Sequence, residues 1–173
     1  MEEKTRIDEA AMSWARIVPD LDVVTMRTAL LFARVTALGH KYVEAAFAEV
    51  GLSAGEFDVL ASLMHAPDHT SKPSVLARSG MLSPAGMTHR LDLLERAGFI
   101  ERQPDPDDRR STLVVLSPAG EGKAIEAALA HVAAEAELFD ALSSSDRADL
   151  QRLLETLLDT YAAVISDPLE LHR

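Results

Sequence analysis

Apolar residues recur at helical spacing along most of this chain, and the pattern changes in one region only. Ile7, Ala11, Trp14 and Ile17 share one side of a short amphipathic helix over 4–17, which Pro19 and Asp20 end. A long helix over 21–50 follows, with Leu30, Leu31, Val35, Leu38, Tyr42, Ala46 and Val50 near one face and Gly51 as its stop. Ser53 with Glu56 three residues on reads as a capping box that starts a third helix over 54–66. Residues 67–73 form a polar loop and 74–79 a short helix. Beyond residue 117 the helical period returns. One helix runs to about 140, and another begins at Ser143 or Ser144 and carries a strong apolar stripe from Leu150 to Ile165.

The exception lies within 83–120. Ser83 is suited to an N-cap and Pro84 to a first helical position, where a missing N–H costs nothing. Met87, Leu91 and Leu94 give the next helix one buried face, and Gly98 ends it. Residues 99–103 and 112–116 then have strand character, and the PDPDDRRS between them is too polar and too rich in proline to pack inside. A capped helix followed by a hairpin with arginines at its tip is the layout of a winged helix-turn-helix, in which the helix enters a DNA major groove and the wing reaches phosphates or the minor groove. The expected fold class is mainly α with a small β-hairpin wing (α+β). One compact domain is expected to hold an extra N-terminal helix (1–18), a dimerisation helix (19–52), the winged region (53–118) and C-terminal dimerisation helices (119–173). The apolar stripes outside the winged region exceed what that region needs for its own core, and DNA heads of this kind read two half-sites through a two-fold; a homodimer is expected.

Composition adjusts this picture in three ways. The 173 residues contain no cysteine, which excludes disulfides, thiolate zinc sites and cysteine-based redox sensing. The opening MEEKTRIDEA is acidic and lacks the apolar core of a signal peptide, and Arg27 and Arg34 interrupt the best candidate for a membrane span; a cytoplasmic location without a membrane partner is expected. The net charge of −11 looks wrong for a DNA binder until it is divided. Residues 72–110 hold seven Lys/Arg against six Asp/Glu, whereas the rest holds ten against twenty-two. The acidity lies outside the reading head and repels DNA everywhere else.

Candidate DNA contacts are Ser83, Ala85, Gly86, Thr88, His89 and Arg90 on the recognition helix and Arg109 and Arg110 at the wing tip. Small residues let the helix approach base edges, Thr88 suits a thymine methyl or a phosphate, and His89 suits a phosphate or guanine. Met87 fits the core as well as the DNA face. Arg109 and Arg110 suit a narrow minor groove, with Asp107 or Asp108 orienting one guanidinium. An enzyme is disfavoured, because the chain has no Gly-rich phosphate loop, no nucleophile elbow and no HExxH. No cofactor is expected. His65 and His69 are four apart but flank Pro67, so they read as loop residues rather than, with His40, a zinc site. A winged protein-interaction module without DNA binding is the other rival, and the arginine-tipped wing argues against it.

The segments LSAGEFDVLASL, SPAGMTHRLDLLERAGFIER and PDPDDRRSTLVVLSPAG resemble the MarR family of winged-helix transcription regulators over about residues 21–165. That resemblance implies a homodimer joined by N- and C-terminal helices, bound to a pseudo-palindromic operator on double-stranded DNA, usually as a repressor that a small molecule releases. The additional helix containing SWAR is similar to the urate-responsive branch of the family. By that resemblance the ligand-binding positions are Trp14, Asp58, Arg90 and Arg102. Urate is a planar monoanion at neutral pH; Trp14 offers a stacking face, Arg90 or Arg102 a bidentate donor and Asp58 an acceptor for ring N–H groups. Ligand entry would draw Arg90 from Asp58 or from DNA and tilt the recognition helix. Each residue has a plainer reading too. Trp14 staples the extra helix, Asp58 is a surface acid or an arginine partner, Arg90 contacts DNA alone, and Arg102 pairs with Glu101 or Asp105. Another phenolic, purine or polycarboxylate anion is the alternative effector.

Overall fold

The computed structural model describes residues 2–79, 84–106, 108 and 111–166. Seven helices and three strands are described: α1 (Glu2–Ile17), α2 (Val23–Glu49), α3 (Ala54–Met64), β1 (Thr70–Ser71), α4 (Pro73–Ser79), α5 (Pro84–Arg96), β2 (Ile100–Pro104), β3 (Thr112–Leu116), α6 (Pro118–Phe139) and α7 (Ser144–Ser166). The fold is mainly helical with a small antiparallel sheet, as the sequence pattern requires. The chain divides into two compact units, Met1–Ala134 and Glu135–Arg173.

In the first unit, α1 lies antiparallel to α2. Arg34 grips both carboxylate oxygens of Glu3, at 2.7 Å each, and Arg27 Nε donates to Asp8 at 2.6 Å. The Arg34 guanidinium holds the Glu3 carboxyl below its ordinary pKa, and Glu3 in turn raises that of Arg34. Of the four apolar positions expected on one side of α1, Ala11 is fully buried, whereas Trp14 and Ile17 stay exposed in the single chain. Helix α2 begins two residues later than its apolar pattern suggests. Asp22 caps it, accepting from the backbone N–H of Val24 and Thr25 and from the Thr25 hydroxyl, which lowers the Asp22 pKa. The Ser53–Glu56 capping box opens α3 as expected: each residue's side chain accepts from the other's backbone N–H.

The core is built around the helix-turn-helix and the sheet. Leu60, Leu63, Met87, Leu91, Leu94 and Val114 are all nearly inaccessible to solvent within it. Met87 is therefore a core residue rather than a DNA contact. Helix α5 ends in a Schellman turn: Phe99 N–H bonds to Leu94 C=O and Gly98 N–H to Glu95 C=O, with Gly98 at φ +75°. The three-stranded sheet has the order β1-β3-β2, with Ile100 opposite Leu116 and Arg102 opposite Val114. Strand β1 was not expected. It is two residues long and draws its pairing from β3, Thr70 with Val115 and Ser71 with Val114, so no local period marks it.

The SPAG that follows β3 has a structural reason. The Ser117 hydroxyl donates to Gly98 C=O and accepts from Gly120 N–H, so one side chain caps α6 and ties it to the end of α5. A side chain on Gly120 would overlap the Phe99 carbonyl, so the close approach of α6 to that strand entry demands glycine. Farther along α6, His131 meets the stacked rings of Phe47 from α2 and Phe57 from α3.

The second unit contains the end of α6 and α7. Ser143, one of the two candidates, caps α7 by accepting from Asp146 N–H, and Arg147 Nη2 donates back to Phe139 C=O. The stripe on α7 is real but uncovered in the single chain: Leu153, Leu157, Leu158 and Tyr161 are all exposed.

Candidate nucleic-acid interface and effector site

Burial of Met87, Leu91 and Leu94 fixes the rotation of α5 and decides what it shows to solvent. Ala85, Thr88 and His89 are exposed, and Gly86 and Arg90 are partly covered. This is the face the sequence assigns to DNA. Ser83, Asp107, Arg109 and Arg110 lie outside the described residues. Asp108 is exposed, and its carbonyl accepts from Ser111 N–H, which with Asp105 N–H to Ser111 C=O closes the base of the wing.

Among the described residues, three ion pairs made by two cations, Arg102 and Lys72, fasten the wing to the helices. Arg102 extends Nη2 to Asp92 Oδ1 at 2.7 Å and Nη1 to Glu95 Oε2 at 3.0 Å, both on α5. The pairing with Glu101 or Asp105 is thereby corrected. Alternation along β2 puts Arg102 on the same sheet face as buried Ile100, opposite buried Val114, so its stem covers the core and its head meets the recognition helix. Glu101 points to the other face. Asp105, only 4% exposed, is instead the partner of Lys72, whose Nζ lies 2.7 Å from Oδ2. Lys72 stands between β1 and α4, so this pair joins the wing's stem to the first helix of the helix-turn-helix. The spacing of Asp92 and Glu95, one turn apart on one helix face, was the available sign of an arginine partner. Nothing in sequence marks the Lys72–Asp105 pair, whose members are 33 positions apart.

The four proposed ligand positions are on four elements. Trp14 stands half exposed on α1, Asp58 is exposed on α3, Arg90 is partly buried on α5 and Arg102 is on β2. Among the described residues no hydrogen bond, ion pair or ring contact joins them to one another, and Arg90 and Asp58 make none with any other described residue. Of the two partners considered for Arg90, Asp58 and DNA, Asp58 does not pair with it here. Arg90 lies instead against Gly55, one turn before Asp58 on α3: a methyl built on Gly55 would overlap its Cζ, Nη1 and Nη2. A partly buried guanidinium that no described carboxylate engages keeps its fork of donors open to an anion. Among the described residues, no group of three His, Asp or Glu side chains is placed to hold a metal ion, and no helix is long and apolar enough to cross a membrane.

The family model described as MarR family matches residues 52–112, from the approach to α3 to the start of β3. The HTH-type transcriptional regulator PecS of Dickeya dadantii (strain 3937) is 32% identical over 150 residues, covering 86% of this chain and 90% of PecS. The chain belongs to the MarR family. The HTH-type transcriptional repressor YetL of Bacillus subtilis (strain 168) is 31% identical over 117 residues, 68% of each protein. Among solved structures, a mutant MarR from E. coli complexed with operator DNA superposes with a TM-score of 0.64 at 25% identity, covering 84% of this chain and 97% of that one. This MarR-family chain is a transcription regulator and not an enzyme. Its likeness to PecS is too long to be confined to the winged region and takes in the flanking helices.

Proposed function

We propose that this chain acts as a homodimeric repressor, bound to a pseudo-palindromic operator through α5 and the wing, and released by a small planar anion of which urate is the first candidate. The observation that carries the effector reading is Arg90. It is a partly buried guanidinium with no hydrogen bond or ion pair among the described residues, and it sits on the helix assigned to DNA. An anion held by Arg90 and operator DNA held by Thr88 and His89 would bias the same helix, so their affinities are coupled, by about 1–3 kcal/mol in a typical case. Trp14 on its own helix supplies an aromatic face, Asp58 an acceptor and Arg102 a second guanidinium. Arg102 would have to exchange Asp92 and Glu95 for ligand, which would loosen the wing at the same time.

The dimer reading rests on apolar residues left exposed in the single chain, Phe32 and Val35 on α2 and Leu157, Leu158 and Tyr161 on α7. The MarR–operator complex supports the DNA reading. The deciding experiment is a mobility shift with the intergenic DNA beside the protein's own gene, with and without urate. Release at micromolar to millimolar urate, lost in Arg90→Ala, is expected. A complex that survives high urate, yet dissociates with salicylate or citrate, replaces urate by another anion.

A further inference from the structure

Gly55 is buried in the first turn of α3, directly beneath the Arg90 guanidinium. Any side chain there would occupy the space of Cζ and both terminal nitrogens. The atoms in the way are the far end of a flexible side chain, so a methyl at position 55 moves Arg90 rather than the backbone of either helix. Helix α3 does not itself ask for glycine at this point. It is closed at its start by the Ser53–Glu56 capping box, and an alanine inside it would be the better helix former. The glycine therefore answers to Arg90 and not to the conformation of its own helix.

We propose that Gly55 is the positioning residue for Arg90: its missing side chain forms the seat that holds the guanidinium against α3, and that seat sets the place from which Arg90 meets an anionic effector. The effector half of this inference rests on the function proposed above; the seat does not. Arg90 belongs to α5, so the seat also determines which part of the recognition helix α3 supports. Seated, the guanidinium lies against the α3 backbone at Gly55, with its donors unengaged among the described residues. Displaced, it swings toward solvent and the site loses its charge.

The test uses the full chain as wild type, Gly55→Ala, Arg90→Ala and the double variant, with Gly55→Ser as a second substitution and thermal unfolding as a check that each is folded. The arginine side-chain Nε–H resonances report the seat without any ligand, Arg90→Lys identifying the signal. The Arg90 resonance should shift in Gly55→Ala and Gly55→Ser; an unchanged resonance overturns the seat. Calorimetric titration with urate reports the effector half. Gly55→Ala should weaken binding at least tenfold, and the double variant should bind no more weakly than Arg90→Ala alone, because both changes act on one guanidinium. Wild-type affinity in Gly55→Ala, or losses that multiply in the double variant, overturn the inference. Wild-type protein that binds no urate overturns the effector reading, while the resonance shift still decides the seat.

Discussion

At the residue scale, two positions matter for reasons their local sequence hides. Asp105 is a buried carboxylate whose charge is compensated by Lys72, itself half exposed. Asp105→Asn keeps the shape and removes the charge, leaving the ammonium to water. Solvent screening of the lysine limits the cost, and a loss of about 1–2 kcal/mol in urea unfolding is expected. Operator affinity should fall as well, because the pair ties the wing stem to α4. Gly120 differs from Gly55 in what it faces. A methyl there meets the Phe99 carbonyl, which belongs to the backbone and cannot swing aside. Gly120→Ala should therefore destabilise by about 1–3 kcal/mol, despite alanine's better helix propensity, as a lowered midpoint in thermal unfolding.

At the element scale, α1 packs on α2 largely through exposed charged residues. It buries Ala11 and relies on exposed ion pairs to α2, of which Glu3–Arg34 is the best formed. The folded-state pKa of Glu3 is below its ordinary value of 4.5, so the pair's contribution is present above pH 4.5 and is lost as pH falls through the lower, folded value. Asp22, also lowered, acts with the same sign at the start of α2. Acidification should release α1 before the rest unfolds. Trp14 is the chain's single tryptophan and stands on α1, so its emission should shift at a pH where far-ultraviolet ellipticity has barely changed. Glu3→Gln should show the loosened emission already at neutral pH. Coincident fluorescence and ellipticity transitions in both proteins would show α1 to be an integral part of the cooperative unit. Across the wing, Arg102 links β2 to α5 through partners that are themselves partly exposed, so its worth lies in holding an angle more than in stability.

At the scale of the molecule, a chain of net charge −11 must confine its attraction for DNA to a small surface. The segment 72–110 carries nearly balanced charge, so phosphate contact depends on where its arginines point and, in the proposed dimer, on two heads acting together. Of its arginines, Arg102 is engaged by two carboxylates, Arg90 packs against Gly55 of α3, Arg96 Nε donates to the Asp92 carbonyl and Arg78 is exposed on α4; phosphate or minor-groove contact is what the sequence assigns to Arg109 and Arg110 at the wing tip. Replacing Arg109 and Arg110 together should weaken operator binding and flatten the slope of log affinity against log salt by about two to four, for two arginines in each of two protomers. A slope equal to that of wild type removes the wing from the interface.

The sequence by itself determined the helices, because each is written locally in a period, a cap and a stop. The Ser53–Glu56 box, the Gly98 turn and the buried face of Met87, Leu91 and Leu94 all involve residues within one or two turns of each other. It also determined the hairpin, from two strand-like runs around a polar, proline-rich tip, although Asp105 in that stretch is buried against Lys72 rather than solvated as the composition suggests. The tertiary structure decided what no local pattern encodes. Strand β1 exists only by pairing with β3, Lys72 meets Asp105 across the wing, and Arg102 turns to α5 rather than to its neighbours. Arg90 rests on a glycine 35 positions earlier in the chain. Contacts between distant segments depend on the packing that brings them together, and a charged residue's choice of partner is settled only when the core has fixed which face it is on.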